Sequence, residues 1–273
     1  MLSRIVLPSD HLMPFVHHYW IMKYDGHTLD MSIMPTGCMK WMFHRGTPFA
    51  VNGNFDAGNV ASVCGQYTSA ANVTTYEHTD LIFVFFHPYA MKIITGMPCN
   101  MFTTANIDMD DLGIPDFKAL KRAVLESEDN DKAITIIEEF ITKRLAENTD
   151  INMIKRLMAV CSEMERHPSS SVDTLADRAC LGERQFRRVF EEYVGMSPKM
   201  MIRTKRCLQA CRAIQSLEIN DFKDIVYSLG FTDHSHLNKE FRTFAGMSPT
   251  DYLEHIKRIK QENFLKGYRA YHK

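Results

Sequence analysis

The chain has 273 residues, 45% of them hydrophobic and 24% charged, a globular composition with room for about two domains at roughly 100 to 200 residues each. No stretch of about 18 apolar residues occurs, which excludes a membrane-spanning helix, and "MLSRIVLPSDHLMPFVHHYW" lacks the unbroken apolar run of a secretory peptide, so a cytoplasmic protein with no membrane partner is expected. The net charge of -1 is unevenly spread: residues 1–149 carry 11 Lys and Arg against 17 Asp and Glu, whereas the rest carries 21 against 16, so the second half is the one suited to meet a polyanion.

Residues 1 to about 86 hold short runs rich in aromatic and β-branched residues: "FVHHYWIMK", "MSIMPTG", "KWMFHRG", "ASVCGQY", "NVTTYE" and "DLIFVFF". Turn signals separate them, at Asp25-Gly26, Pro35-Thr36-Gly37, Asn52-Gly53-Asn54 and Ala57-Gly58-Asn59. Many short strands at such spacing predict an antiparallel barrel or sandwich. "PYAMKIITG" then reads as a short helix with Pro88 in its first turn and Gly96 beyond its end.

From Asp116 the period becomes helical. In "DKAITIIEEFITKRLAE", Ile134, Ile137, Ile141 and Leu145 form one stripe, which can cover the barrel or a second subunit. The junction is placed near residue 150, with the serine run of "RHPSSSVDT" as a loop inside the second domain.

The tetrapeptide "GMSP" occurs at Gly195–Pro198 and again at Gly246–Pro249. Shifting by 51 residues brings Leu175 over Val226, Ala179 over Gly230, Phe186 over Leu237 and Phe190 over Phe241. Each copy reads as two short helices around a tight turn, a helix-turn-helix. Asp173 or Thr174 is the expected cap of the first helix in the first copy, and Thr232 or Asp233 caps the second helix in the second. With Phe186 and Phe190 inward, Arg184, Gln185, Arg187 and Arg188 are left outside, as are residues of "HSHLNK" in the other copy. Arginine can bond guanine O6 and N7 together, and His, Ser, Asn and Lys can reach base edges or phosphates. In each "GMSP" the glycine suits a left-handed helix end, the serine a cap, and the proline the first turn of the next helix. "MIRTKRCLQACRAIQSL" is a connecting helix without Gly or Pro.

The seven cysteines form no CxxC pair and indicate neither disulfides nor a zinc site; Cys207 and Cys211, one turn apart, read as small apolar residues.

Residues from about 150 to 260 resemble the AraC/XylS type of bacterial transcription regulator. The resemblance rests on "LADRACLGERQFRRVFEEYVGMSP", on Arg206 and Ala210 in the connecting helix, and on "IVYSLGFTDHSHLNKEFRTFAGMSP". It implies a two-domain α+β chain, with a sensor or dimerisation domain over 1–149 (strands about 1–86, helices about 88–148). A DNA-binding domain over 150–265 follows, with helix-turn-helix modules about 172–194 and 222–245, and then a tail at 266–273. It also implies that Arg184, Gln185, Arg187, Arg188, His234, Ser235, His236, Asn238 and Lys239 face promoter DNA. RNA polymerase is then a candidate further partner; the stripe of helix 131–147 leaves a homodimer open as the alternative to packing on the barrel. Two positions depart from the family pattern. Gly182 stands where a serine cap is usual, and Lys239 where arginine is frequent, which removes a bidentate fork.

The first half resembles the cupin-like domains attached to such regulators, through "MPTGCMKWMFHRG", "GQYTS" and "FVFFHPYAMKIITGMP". A small organic effector is expected among Trp41, Phe43, Gln66, Tyr67, Phe85 and His87. His17, His18, His44, His78 and His87 contain no HxH, and His17 and His18 should point to opposite faces of a strand, so no metal and no cofactor is expected. No nucleophile with a base and no GxxxxGK[ST] loop is found, so the chain reads as a non-enzyme; the alternative is a small-molecule-binding or metal-dependent barrel enzyme with an attached DNA-binding module.

Overall fold

The structure, a computed structural model, describes residues 2–47, 49–55, 60–147, 150–216 and 222–261. The turn expected at Ala57-Gly58-Asn59 and the tail 266–273 lie outside them.

The strands are β1 (Leu2–Val6), β2 (Val16–Asp25), β3 (Leu29–Ile33), β4 (Lys40–His44), β5 (Ala50–Val51), β6 (Asn54–Phe55), β7 (Ala61–Cys64), β8 (Ala71–Thr75), β9 (His78–Phe86) and β10 (Asn106–Asp108). They form two antiparallel sheets, one ordered β1-β2-β9-β4-β7-β10 and one ordered β3-β8-β5-β6. Asn52 and Gly53, with φ of 50° and 77°, make the tight turn between β5 and β6, where positive φ at both positions matches the strand twist.

The helices are α1 (Ala90–Thr95), α2 (Pro115–Leu125), α3 (Asn130–Ala146), α4 (Ile151–Arg166), α5 (Val172–Arg178), α6 (Glu183–Val194), α7 (Pro198–Ser216), α8 (Phe222–Ser228), α9 (His234–Ala245) and α10 (Pro249–Gln261). The chain thus has an antiparallel first part and a helical second part.

Alternation along β2, β4, β7 and β9 divides the larger sheet into two faces. Tyr19, Ile21, Trp41, Phe43, Ala61, Val63, Ile82, Val84 and Phe86 share a core with residues of α2 and α3. Trp41 is fully buried there, edge-on to Phe86, Phe117 and Phe140. Burying an aromatic of this size contributes about 2 to 3 kcal/mol, so this face anchors the domain. The opposite face carries Met22, Met42, Cys64, Leu81, Trp20 and Phe83.

Ala133, Ile134, Ile137 and Ile141 of α3 lie in the first core, and Leu145 packs against it. The apolar stripe is therefore consumed within the chain. Outward, α3 presents Asp131, Lys132, Thr135, Glu139, Thr142 and Lys143. Of the two roles expected for this stripe, it takes the covering of the sheet.

The expectation that His17 and His18 point to opposite faces is overturned. β2 carries a bulge between Val16 and His18, which breaks the alternation, and the two Nδ1 atoms approach to 2.7 Å.

A second core joins α4, α5, α6 and the start of α7 to Tyr89 and Ile93 of the first half, and a third joins the rest of α7 to α8, α9 and α10. Apolar packing thus does not stop at residue 150. It continues from α1 into the first helix pair.

Candidate nucleic-acid interface

Each helix pair is built from local signals. α5 is capped by Ser171, whose hydroxyl accepts from Thr174 N at 3.1 Å, so the cap lies two residues before the expected Asp173. The turn after it is made by Cys180, left-handed at φ 52°, rather than by a glycine. In the second copy Gly230 takes that conformation at φ 69°.

The structure refines the period. α6 and α9 start at 183 and 234 and end at left-handed Gly195 and Gly246, a shift of 51. α5 and α8 are related by 50: Leu181 N bonds Ala176 O as Phe231 N bonds Val226 O. Leu175 and Ala176 therefore correspond to Ile225 and Val226, not to Val226 and Tyr227. The second turn is one residue longer, and Asp233 uses it to cap α9, accepting from His236 N at 2.7 Å. Gly182 before α6 supplies no side-chain cap.

α6 buries Phe186, Val189, Phe190, Tyr193 and Val194, and α9 buries Leu237, Glu240, Phe241, Phe244 and Ala245. On the other faces Arg184, Gln185, Arg187 and Arg188 are exposed, as are His234, Ser235, Asn238 and Lys239. Arg187 is held within its own helix by Glu183, with Nε at 3.0 Å. His236 is half-buried: its Nδ1 accepts from Thr232 N at 3.2 Å, and its ring lies edge-on to Phe231. The neutral ring is thus protonated on Nε2, and the residue braces the turn. Arg242, exposed one turn after Lys239, extends the stripe. Sequence reasoning missed it, although its i+3 spacing from Lys239 was the available signal.

α7 fixes the two units. Its 19 residues span about 28 Å at about 1.5 Å per residue. Met201 and Ile202 enter the core of the first pair, and Cys207, Ala210, Cys211 and Ile214 that of the second. Arg203 makes a two-pronged bond to Glu240, Nε to Oε2 and Nη2 to Oε1, both at 2.8 Å. Arg206 donates to Gly230 O at 3.3 Å and to Pro168 O at 3.4 Å, tying the second turn to the loop before α5.

The first half grips the far ends of α6 and α9. Gln66 Nε2 donates to Val194 O at 2.8 Å, Thr103 donates to Gly195 O, and Lys92 pairs with Glu192. Ala70 N donates to Thr243 O at 3.2 Å. Both "GMSP" glycines face this half: a side chain on Gly195 would lie 2.8 Å from Cys99 O, and one on Gly246 3.4 Å from Ala70 Cβ. Ser197 and Ser248 cap the following helices, accepting from Met200 N at 3.2 Å and Asp251 N at 3.1 Å.

The six residues expected around an effector do not share one surface. Trp41 and Phe43 lie in the helix-covered core, and Phe85 lies on the other sheet face, stacked on His18. Gln66 is directed to α6. Tyr67 bonds Asn106 Oδ1 at 3.3 Å, and His87 stacks on Tyr89. The sheet's period of two puts Trp41 and Phe43 of β4 on one face and Phe85 of β9 on the other, which hydropathy alone did not reveal.

A family model described as a helix-turn-helix domain matches residues 175–255, and one described as a domain of unknown function matches residues 4–108. The chain is 24% identical over 139 residues to an HTH-type transcriptional regulator of Haemophilus influenzae, covering 50% of this chain and 46% of that one. It is 30% identical over 76 residues to the HTH-type transcriptional activator RhaS of Pectobacterium carotovorum, covering 28% and 27%. It is 26% identical over 87 residues to XylDLEGF operon transcriptional activator 2 of Pseudomonas putida, covering 31% and 55%. The chain thus spans about half, or less, of the length of these relatives. A crystal structure of ToxT from Vibrio cholerae superposes with a TM-score of 0.47 at 11% identity, over 86% of this chain and 97% of that one. Among the described residues no helix is long and apolar enough to cross a membrane. Residues 175–255 thus carry a helix-turn-helix domain, and the relatives reported above are named as transcriptional regulators and activators.

Proposed function

We propose that this protein regulates transcription by reading promoter DNA with α6 and α9 together. One observation carries the reading: two helices, joined by the single α7, present Arg184, Gln185, Arg187 and Arg188 on one and His234, Ser235, Asn238 and Lys239 on the other. Lysines and arginines placed this way bond phosphates and guanine edges. Two unlike recognition helices in one chain read a site without a dyad, so a dimer is not needed for specificity. His236 holds its turn, so any contact it makes to DNA is subordinate to the others.

The first half is the regulatory part of this reading. A cupin-like domain of two sheets receives a small effector, and its grip on the ends of α6 and α9 sets where those helices stand. RNA polymerase is the partner at the promoter. The test is selection of bound sequences from a random DNA pool by the full chain. A gapped, asymmetric motif with two half-sites about 10 base pairs apart is expected; recovery of no enriched motif overturns the reading.

A further inference from the structure

The two sheets of the first half meet different helix pairs. On the side of the larger sheet, Gln66, two residues after β7, donates from Nε2 to Val194 O at 2.8 Å, and Thr103 donates to Gly195 O, both at the end of α6. The smaller sheet meets the end of α9. Ala70, the residue before β8, donates from N to Thr243 O at 3.2 Å, and a side chain on Gly246 would lie 3.4 Å from Ala70 Cβ and 3.9 Å from Ser32 Oγ on β3. Met34, just after β3, packs against the core of the second pair, its Sδ 3.7 Å from Cys211 Sγ.

One connection joins these two contacts. β7 belongs to the larger sheet and β8 to the smaller, so the segment Gly65–Ala70 crosses between them. Its first end has little room to shift: Gly65 N donates to Ala105 O at 2.8 Å, Thr104 N donates to Gln66 O at 3.0 Å, and a Cβ on Gly65 would lie 1.5 Å from Phe102 O. Its far end runs into the β3–β8 ladder, where Ala71 pairs with Ile33. From Gln66 to Ala70 the backbone can reach at most about 14 Å, at about 3.3 to 3.6 Å per residue. Arg206 ties the second turn to the loop before α5, whereas this segment ties the C-terminal ends of α6 and α9. Ties at two separate places fix tilt as well as distance.

We propose that Gly65–Ala70 is a strut that sets the spacing at which α6 and α9 read DNA, so that the distance between half-sites is specified by the first half as well as by α7. The inference rests on the DNA-binding reading. One base pair moves a half-site by about 3.4 Å along the duplex, and a hydrogen bond of about 2.9 Å does not survive such a displacement. With the strut in place one spacing is matched, and its neighbours require Gln66 or Ala70 to release a helix end. The strut touches Val194, Thr243 and Gly246, not the exposed residues Arg184 to Arg188 or His234 to Lys239, so preference within each half-site is independent of it.

The test measures affinity of the full chain for DNA carrying the selected half-sites at the selected spacing, one base pair closer and one base pair further apart. Two glycines inserted after the exposed Ser69 lengthen the strut by up to about 7 Å, enough to reach the neighbouring spacings. Gln66→Ala releases one end at unchanged chain length, and two glycines inserted between the exposed Asn52 and Gly53 serve as the control. Wild type and the control are expected to favour one spacing by about tenfold or more, and the Ser69 insertion and Gln66→Ala by about threefold or less, all with the same half-site sequences. Melting curves show which variants are folded; the Ser69 insertion decides where it folds, and Gln66→Ala decides otherwise. The proposal is overturned if wild type has no spacing preference, if the deciding variant keeps the wild-type preference, or if the control relaxes as much. Absence of DNA binding by wild type removes the regulator reading and the strut with it, whereas DNA binding with an unmoved spacing preference removes the strut alone.

Discussion

Gln66 Nε2 donates to the Val194 carbonyl at 2.8 Å, so a side chain of the first half satisfies an orphan carbonyl at the last turn of α6. Gln66 is 1% exposed, and its bond crosses from the sheet-bearing half to the helical half. Gln66→Ala should cost about 1 to 3 kcal/mol, the loss of a buried bond with its acceptor left unpaired. Urea unfolding measures this, and an unchanged midpoint would show that the bond does not hold the halves together.

Gly195 carries two constraints, and a control separates them. Its φ is 84°, and a Cβ there would lie 2.8 Å from Cys99 O; Gly53 has φ 77° with nothing within 4 Å. Gly53→Ala should therefore cost about 1 to 2 kcal/mol, from the left-handed conformation alone. Gly195→Ala should cost distinctly more and loosen the two halves, as shown by faster proteolysis between them. Equal losses would mean that the contact with Cys99 is not tight in solution.

The pair Arg203–Glu240 fixes α9 on α7. The Glu240 side chain is 9% exposed and that of Arg203 32%, so solvent screens the arginine in part. Glu240→Ala should then cost about 2 kcal/mol, below the full penalty for a wholly buried partner. Replacing both residues by Met and Leu should restore most of the loss. Failure of the double variant to recover would place the cost in packing rather than in the unpaired charge.

Stability should depend on the buried histidines of the first half. Burial holds His18 down to about 3 and His87 and His44 to about 4, against an ordinary 6.5. Folded, they are neutral, so the unfolded chain binds protons first as pH falls below about 6.5. Their contribution is complete above that value and drains as pH drops towards 4 for His87 and His44 and towards 3 for His18. Melting temperatures at pH 7.5 and 5.5 should differ, with the lower at pH 5.5, and His18→Phe should narrow the gap. A flat profile would contradict the burial of these rings.

Much of this was legible from residue order alone. "GMSP" announced its left-handed glycines and serine caps, and the Phe186/Phe190 spacing announced which face of α6 turns inward. Other features were hidden because tertiary context decided them. The Asn52–Gly53 turn was visible, but β1 and β10, at the edges of a sheet, lack the alternation that marks a half-buried strand. The identical "GMSP" spacing masked the extra residue in the second turn, since Cys180 takes a left-handed conformation that sequence assigns to glycine. The apolar stripe of α3 announced burial but not against what. Trp41 and Phe85 looked like one pocket because aromatic content carries no sign of which side of a strand is which. Gln66 looked like a ligand contact because nothing in its neighbours points to residue 194.

In the proposed function α6 and α9 both read DNA. Its most direct measurement is the affinity of wild type, Arg188→Ala and Lys239→Ala for the selected DNA site, at one fixed salt concentration and over a salt series. Each variant should lose about 1 to 3 kcal/mol if it removes a base contact, or lower the salt slope by about one if it removes a phosphate contact. Unchanged affinity and unchanged salt slope for both variants would contradict it.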